Sequence, residues 1–378
     1  MASHTAAAAI PSSQSTDPIE ESEALLNEKE MKKRRIVRDS NLRLKILPNQ
    51  WPIIYSTHYN ITCMGLERCH PFDSTKWGKV FKICQEAGWL TKENTIQPME
   101  AKTSDLLISH TSLYLKSLYI PCNVAQAVEV PIVALLFPCI IERCLLKPFR
   151  YQVGGTVTAA YFALERGWSI NIGGGFHHAS TNRGAGFCIY NDITISLQFL
   201  FNDTSLSKPI RKAMIVDLDA HQGNGHERDF KGDERVYIFD MFNYSIYPRD
   251  QEAKEAISKA VRLKRFTEDG EYLRELKINL KEALTEFTPD IIIYNAGTDC
   301  YEADPLGCLS ISARGIKIRD EFVFRQARKN QIPIVMVTSG GYTRESAGII
   351  ADSLLNLKEK NIITLEPEFR EDISDDEI

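Results

Sequence analysis

The chain has 378 residues, 43% hydrophobic and 25% charged, which fits a globular protein with room for one large α/β domain or two ordinary ones. A net charge of -5 excludes sequence-independent phosphate binding as its main business, so no direct nucleic-acid binding is expected. The longest apolar run, residues 130–141, is short and broken by Pro131 and Pro138, so no membrane span is expected either.

In chain order, residues 1–45 read as a disordered tail: Ala/Ser-rich, then acidic, then basic at Lys32, Lys33, Arg34, Arg35 and Arg38. The basic cluster has the form of a nuclear-import signal and equally that of a solvated charge run; the nucleus is the expected compartment, with the cytoplasm as the alternative. No secretory signal is expected, because no basic n-region precedes the short apolar stretch 6–10. Nine cysteines without a C-x-x-C pair read as reduced thiols of an intracellular protein.

Beyond the tail, strands are expected at 53–56, 168–172, 213–218, 236–239, 291–295, 332–338 and 362–365. Helices are expected at 76–87, 151–165, 192–201, 271–287, 313–329 and 344–357. Alternation of the two, with strands that read as unbroken Ile/Val runs, implies a mainly parallel sheet covered by helices on both faces, and one α/β domain over 46–365. Residues 366–378 form an acidic C-terminal tail.

In open parallel sheets, ligands bind outside the carboxyl ends of the strands. Four expected strands end in residues with chemistry: Gly173-Gly174-Gly175-Phe176-His177-His178, Asp217-Leu218-Asp219-Ala220-His221, Asn295-Ala296-Gly297-Thr298-Asp299 and Ser339-Gly340-Gly341-Tyr342. Residues two apart in an extended segment share a side, so Asp217, Asp219 and His221 can converge, and Asp299 can join them from another strand. Two carboxylates and one imidazole suit zinc with one position left open. Taken alone, the same acids could simply cap the next helix. The adjacent His177 and His178 suit a base and an acid, and Tyr342 suits a donor to a developing oxyanion. The glycine run is no dinucleotide fingerprint, since His178 stands where the third glycine belongs.

These motifs resemble the zinc-dependent histone deacetylases of the arginase/deacetylase superfamily, and within them the class IV branch. The likeness rests on His58-Tyr59-Asn60-Ile61-Thr62, His70-Pro71-Phe72-Asp73, Gly173 to His178, Gly186-Phe187-Cys188, Asp217 to Gly225, Ala296 to Asp299 and Ser339 to Tyr342. It implies an arginase/deacetylase-like sandwich that binds zinc through Asp219, His221 and Asp299. It implies catalysis by His177, His178 and Tyr342, with Asp217 orienting His177, and leaves open which histidine is the base. Gly186, Phe187, Tyr247, Gly340 and Gly341 would line the substrate tunnel, and a structural potassium would lie beneath the zinc near Asp217 and Asp240.

Two positions depart from the class I pattern: Asn224 replaces an Asp behind the second histidine, and the region 111–138 offers no rim Asp, only Glu129. The implied reaction is hydrolysis of N6-acyl-lysine in proteins such as histones, acetyl or long-chain fatty acyl. An acetylpolyamine amidohydrolase and an inactive corepressor-like scaffold are the alternatives. An arginase-like two-metal site is disfavoured because Gly223 stands where a second acid is needed.

Overall fold

The computed structural model describes residues 18–62, 65 and 73–365. His70, Pro71 and Phe72, the N-terminal residues 1–17 and the acidic tail 366–378 lie outside the described residues.

Seven strands form one sheet: β1 (Ile53–Ile54), β2 (Trp168–Asn171), β3 (Ala213–Asp217), β4 (Val236–Asn243), β5 (Lys259–Leu263), β6 (Ile291–Asn295) and β7 (Ile334–Val337). Their order is β1-β2-β7-β6-β3-β4-β5, and every pairing is parallel. Parallel strands need crossovers, and helices supply them. In chain order the helices are α1 (Pro18–Asp39), ahead of β1, α2 (Lys76–Glu86), the short α3 (Thr103–Leu106), α4 (Ser112–Ser117), α5 (Pro121–Ala127) and α6 (Pro138–Ile141), then α7 (Lys147–Arg166), α8 (Asp192–Asn202), α9 (Asn224–Asp229), α10 (Asp269–Glu286), α11 (Ala313–Lys329) and, after β7, α12 (Ser346–Glu359).

Every residue of β2, β3, β6 and β7 is buried, so both faces of the central sheet are covered, as the unbroken Ile/Val runs required. Helix α7 packs on β2 and β7 and against α8, while α10, α11, α12 and α2 pack side by side in turn. Gly167, at φ 78°, ends α7 in the left-handed conformation that favours glycine and turns the chain straight into β2.

Three expectations need correction. The N-terminal stretch is helical from Pro18, and the chain up to residue 45 is not a free tail. Among its described side chains Lys33, Ile36 and Val37 repeat at helical spacing and are half-buried, Lys33 Nζ donates to Gln198 Oε1 at 2.8 Å, and Leu42 just beyond the helix is 1% exposed. Residues 362–365 form no strand: Ile362 and Ile363 are buried and the Thr364 carbonyl accepts the Trp168 indole N–H at 3.1 Å, without ladder pairing. The edge strand β5 was not expected, because its alternating Lys-Ala-Val-Arg-Leu is too short and too charged to stand out.

Candidate active site

The carboxyl ends of β2, β3, β6 and β7 lie next to one another in the sheet, so the four motif loops meet at one edge. There Asp219, His221 and Asp299 each offer one donor atom within 4.8 Å of the others. His221 Nδ1 lies 2.8 Å from Asp299 Oδ2 and 3.2 Å from Asp219 Oδ1. Backbone amides fix the carboxylates: Ala220 N–H donates to Asp299 Oδ1 at 2.8 Å and Gly340 N–H to Asp219 Oδ2 at 3.1 Å. Glycine is required at 340, where a Cβ would lie 2.5 Å from Asp219 Oδ2 and 2.6 Å from Asp299 Oδ2. Burial and the neighbouring Asp219 charge push the Asp299 carboxyl up to about 7. Two buried carboxylates forced together in this way, with an imidazole beside them, fit a divalent cation.

The neighbouring histidines are held differently. His177 Nδ1 lies 3.0 Å from Asp217 Oδ2, whereas His178 Nδ1 lies 2.8 Å from Asn224 Oδ1. Burial opposes a charge on His177, but the carboxylates of Asp219 and Asp217 prevail and hold it up at about 9. His178 is pushed well below its ordinary value by burial and then by His177 and His221. Asn224 is itself oriented, because its Nδ2 donates to Asp250 Oδ2 at 3.1 Å, and Asp250 takes two hydrogen bonds from Arg228. With its amide nitrogen so engaged, Asn224 presents its oxygen to His178, which fixes the N–H at Nδ1 and leaves Nε2 as the acceptor.

A cavity of about 40 Å³ joins these groups, lined by His177, His178, Asp219, Gly340 and Tyr342 and reaching the apolar Trp77, Phe149 and Phe176. The Phe187 ring lies 5.9 Å from that of Tyr342, and the Tyr247 ring lies 5.0 Å from that of His178. Gly186 lies against His178, whose Cδ2 would be 2.3 Å from a Cβ there. Gly341, at φ 125°, makes the turn into Tyr342. Burial and the carboxylates of Asp299 and Asp219 keep the Tyr342 phenol protonated by raising it well above its usual range.

Several residues here carry no motif signal. Lys76, 0% exposed on α2, donates to the carbonyls of Ser339, Gly340 and Gly341, the last two at 2.8 and 3.4 Å. Glu129 reaches the mouth, where its Oε1 accepts the Gly186 N–H at 3.2 Å. His226 Nε2 lies 2.8 Å from the same Asp217 oxygen that faces His177. Asp217 Oδ1 accepts from Asp219 N–H and Asn295 Nδ2, so its carboxylate is fully spent on donors. Asp240 Oδ1 and Glu227 Oε1 accept from no donor, the two acids lie against each other, and Asp217 with His177 and His226 forms a second buried group whose donor atoms lie within 4.8 Å of one another.

A donor set of two acids and one imidazole, placed at the carboxyl edge of a parallel sheet beside a pair of histidines, suits metal-assisted hydrolysis. Comparison with known proteins agrees: the family model "Histone deacetylase domain" matches residues 70–357. The chain is 48% identical over 336 residues to histone deacetylase 2 of Arabidopsis thaliana, covering 89% of this chain and 86% of that protein. It is 26% identical over 291 residues to the acetoin utilization protein AcuC of Staphylococcus aureus strain MRSA252, covering 72% of each. The crystal structure of the HDA15 HD domain shares the fold at a TM-score of 0.66 and 16% identity, covering 83% of this chain and 90% of that one. The chain belongs to the histone deacetylase family and is a hydrolase of that family. Among the described residues no helix is long and apolar enough to cross a membrane.

Proposed function

We propose that this protein is a zinc-dependent, class IV-type deacylase that hydrolyses N6-acyl-lysine in proteins such as histones. The observation that carries the reading is the convergence of Asp219, His221 and Asp299 on one buried point at the cavity that His177, His178 and Tyr342 also line or flank. Zinc held by those three residues would polarise the acyl carbonyl and make the attacking water more acidic. His178, neutral and with Nε2 as acceptor, takes the proton from that water. Tyr342 donates its phenolic hydrogen bond to the oxyanion that forms on the carbonyl carbon. His177, held protonated over Asp217, hands its proton to the departing lysine amine, so the amide C–N bond breaks to free lysine and a carboxylic acid.

Phe187 and Tyr247 would flank the lysine stem, and Gly186, Gly340 and Gly341 let the backbone approach it. The acyl end is apolar, at Trp77, Phe149 and Phe176; its volume of about 40 Å³ holds a few atoms, so a fatty chain needs those rings to part. A potassium ion would sit near Asp217 and Asp240, which face each other across β3 and β4. The basic cluster 32–35, exposed apart from Lys33, supports a nuclear location.

The test is turnover on acetyl-, octanoyl- and myristoyl-lysine peptides and on acetylpolyamine, with and without a chelator. Chelator-sensitive release from at least one acyl-lysine peptide is expected, together with a loss of kcat of about a hundredfold in Tyr342→Phe. Turnover of acetylpolyamine alone, or an unchanged Tyr342→Phe, would overturn the reading.

A further inference from the structure

Arg319, on α11, is a guanidinium with 0% exposure, paired through Nε with Asp320 Oδ1 at 2.8 Å. Isolating such a pair from water costs more than its attraction returns unless other hydrogen bonds repay it. The repayment comes from the active-site loops. Arg319 Nη1 donates to the Gly297 carbonyl at 2.6 Å, to the Leu218 carbonyl at 3.3 Å and to Cys300 Sγ at 3.3 Å. Leu218 precedes Asp219, and Gly297 and Cys300 bracket Asp299, so one nitrogen ties together the two loops that carry the acids. Asp320 anchors the brace in turn: it accepts the hydroxyl of Tyr294 on β6 at 2.5 Å and that of Ser353 on α12 at 2.6 Å.

We propose that Arg319 is a positioning residue that holds the Asp219 and Asp299 loops at the spacing a divalent ion requires, and so sets the affinity of the site for zinc. This rests on the reading of Asp219, His221 and Asp299 as the ligands. Without the brace, two like charges would be free to move apart, and each zinc would have to draw them together again on binding. Lysine cannot replace arginine here, because a single ammonium lacks the fork that serves Asp320 and both carbonyls at once.

The test compares zinc dissociation constants, by competition against a chromogenic chelator, for the full-length wild type, Arg319→Met, Arg319→Lys and Arg325→Met, with the melting temperature of each metal-free form. Arg325 lies on the same helix and pairs with Glu321 at 2.9 Å, away from the loops. Arg319→Met is expected to weaken zinc binding about 10- to 100-fold, the usual cost of losing an outer partner of a metal site. Arg319→Lys should fall between it and the wild type, and Arg325→Met should bind zinc as the wild type does. Zinc affinity unchanged in Arg319→Met, or weakened equally in Arg325→Met, would overturn the proposal. Should Arg319→Met fail to fold, Arg319→Lys decides alone, and wild-type affinity there would overturn it. A wild type that takes up no zinc, or an Asp299→Asn that takes it up undiminished, would overturn the ligand set and this proposal with it, and that result is recognisable because it needs no Arg319 variant.

Discussion

His177 and His178 are neighbours in the chain, with ring centroids 4.0 Å apart, yet they sit in opposite electrostatic surroundings. Behind His177 stands the Asp217 carboxylate, buried and shared with His226; behind His178 stands the Asn224 amide, with the negative charge of Asp250 one residue further back. A carboxylate in contact stabilises imidazolium, whereas an amide oxygen fixes the tautomer without supplying a full charge. Two identical side chains thereby acquire an acid's and a base's resting states, the separation of proton affinities that hydrolytic sites rely on. The difference is produced by the Asp217 carboxylate at the end of β3 and the Asp219 carboxylate beyond it, which face His177, while the first residue of α9, Asn224, gives His178 only an amide.

The largest expected break in that comparison is removal of the base. His178→Ala should lower kcat by about a thousandfold, within the range general catalysis supplies, and by more than His177→Ala, measured as steady-state turnover on an acyl-lysine peptide at saturating metal. Equal losses would show that the two surroundings do not divide the labour. A third buried histidine, away from the reacting groups, sharpens the point in stability. His110 is flanked by the Thr181 carbonyl at 3.1 Å and the Asn191 N–H at 3.2 Å, and burial lowers it to about 4. The unfolded chain binds this proton near 6.5, so between about 6.5 and 4 it carries more protons than the folded one, and stability falls as pH falls through that window. The full loss is about 3 kcal/mol at the lower end. Urea unfolding of His110→Asn and wild type at several pH values should give a shallower slope for the variant; parallel slopes would contradict a neutral His110.

The strand-end motifs were legible because chemistry and topology coincide there: acids and histidines spaced at two residues, each following an Ile/Val run, can only point to the carboxyl edge of a parallel sheet. The helix termini and β7 shifted by a few residues, the latter starting at Ile334 because Pro333 has no N–H for the ladder. What escaped notice were charged residues buried for a purpose. Lys76 opens a helix whose other charged residues are exposed, Arg319 lies in one that buries Asp320, Glu321, Arg325 and Arg328 beside it, and nothing in a helical pattern distinguishes a charge aimed at solvent from one aimed at buried carbonyls. Asp250 likewise sits in a loop after Pro248, where an acid reads as surface, and only the fold brings it to Asn224. The helix α1 was missed for the converse reason: among its described side chains only Ile36 and Val37 are half-buried apolar ones, inside a segment whose composition is that of a tail.

The subtlest contrast lies behind His178 and is tested by exchanging one atom. Asn224→Asp would give His178 the same kind of partner as His177, and a carboxylate in direct contact raises the proton affinity of an imidazole. The acid limb of the pH profile of kcat/KM should then move to higher pH, because a larger fraction of His178 is already protonated and unable to accept a proton from water. At neutral pH the rate should fall several-fold while zinc content stays at the wild-type level. Asp250→Asn should have a smaller effect of the same origin: Asn224 loses its charged anchor, its amide is free to turn its nitrogen toward His178 Nδ1, and the tautomer that leaves Nε2 as acceptor is less well enforced. Because Arg228 also loses its partner in that variant, Arg228→Gln is the companion measurement, since it keeps the Asp250 carboxylate beside Asn224. If Asp250→Asn lowers kcat and Arg228→Gln does not, the carboxylate acts through Asn224; if both lower it equally, the helix α9 as a whole, and not the amide behind His178, carries the effect.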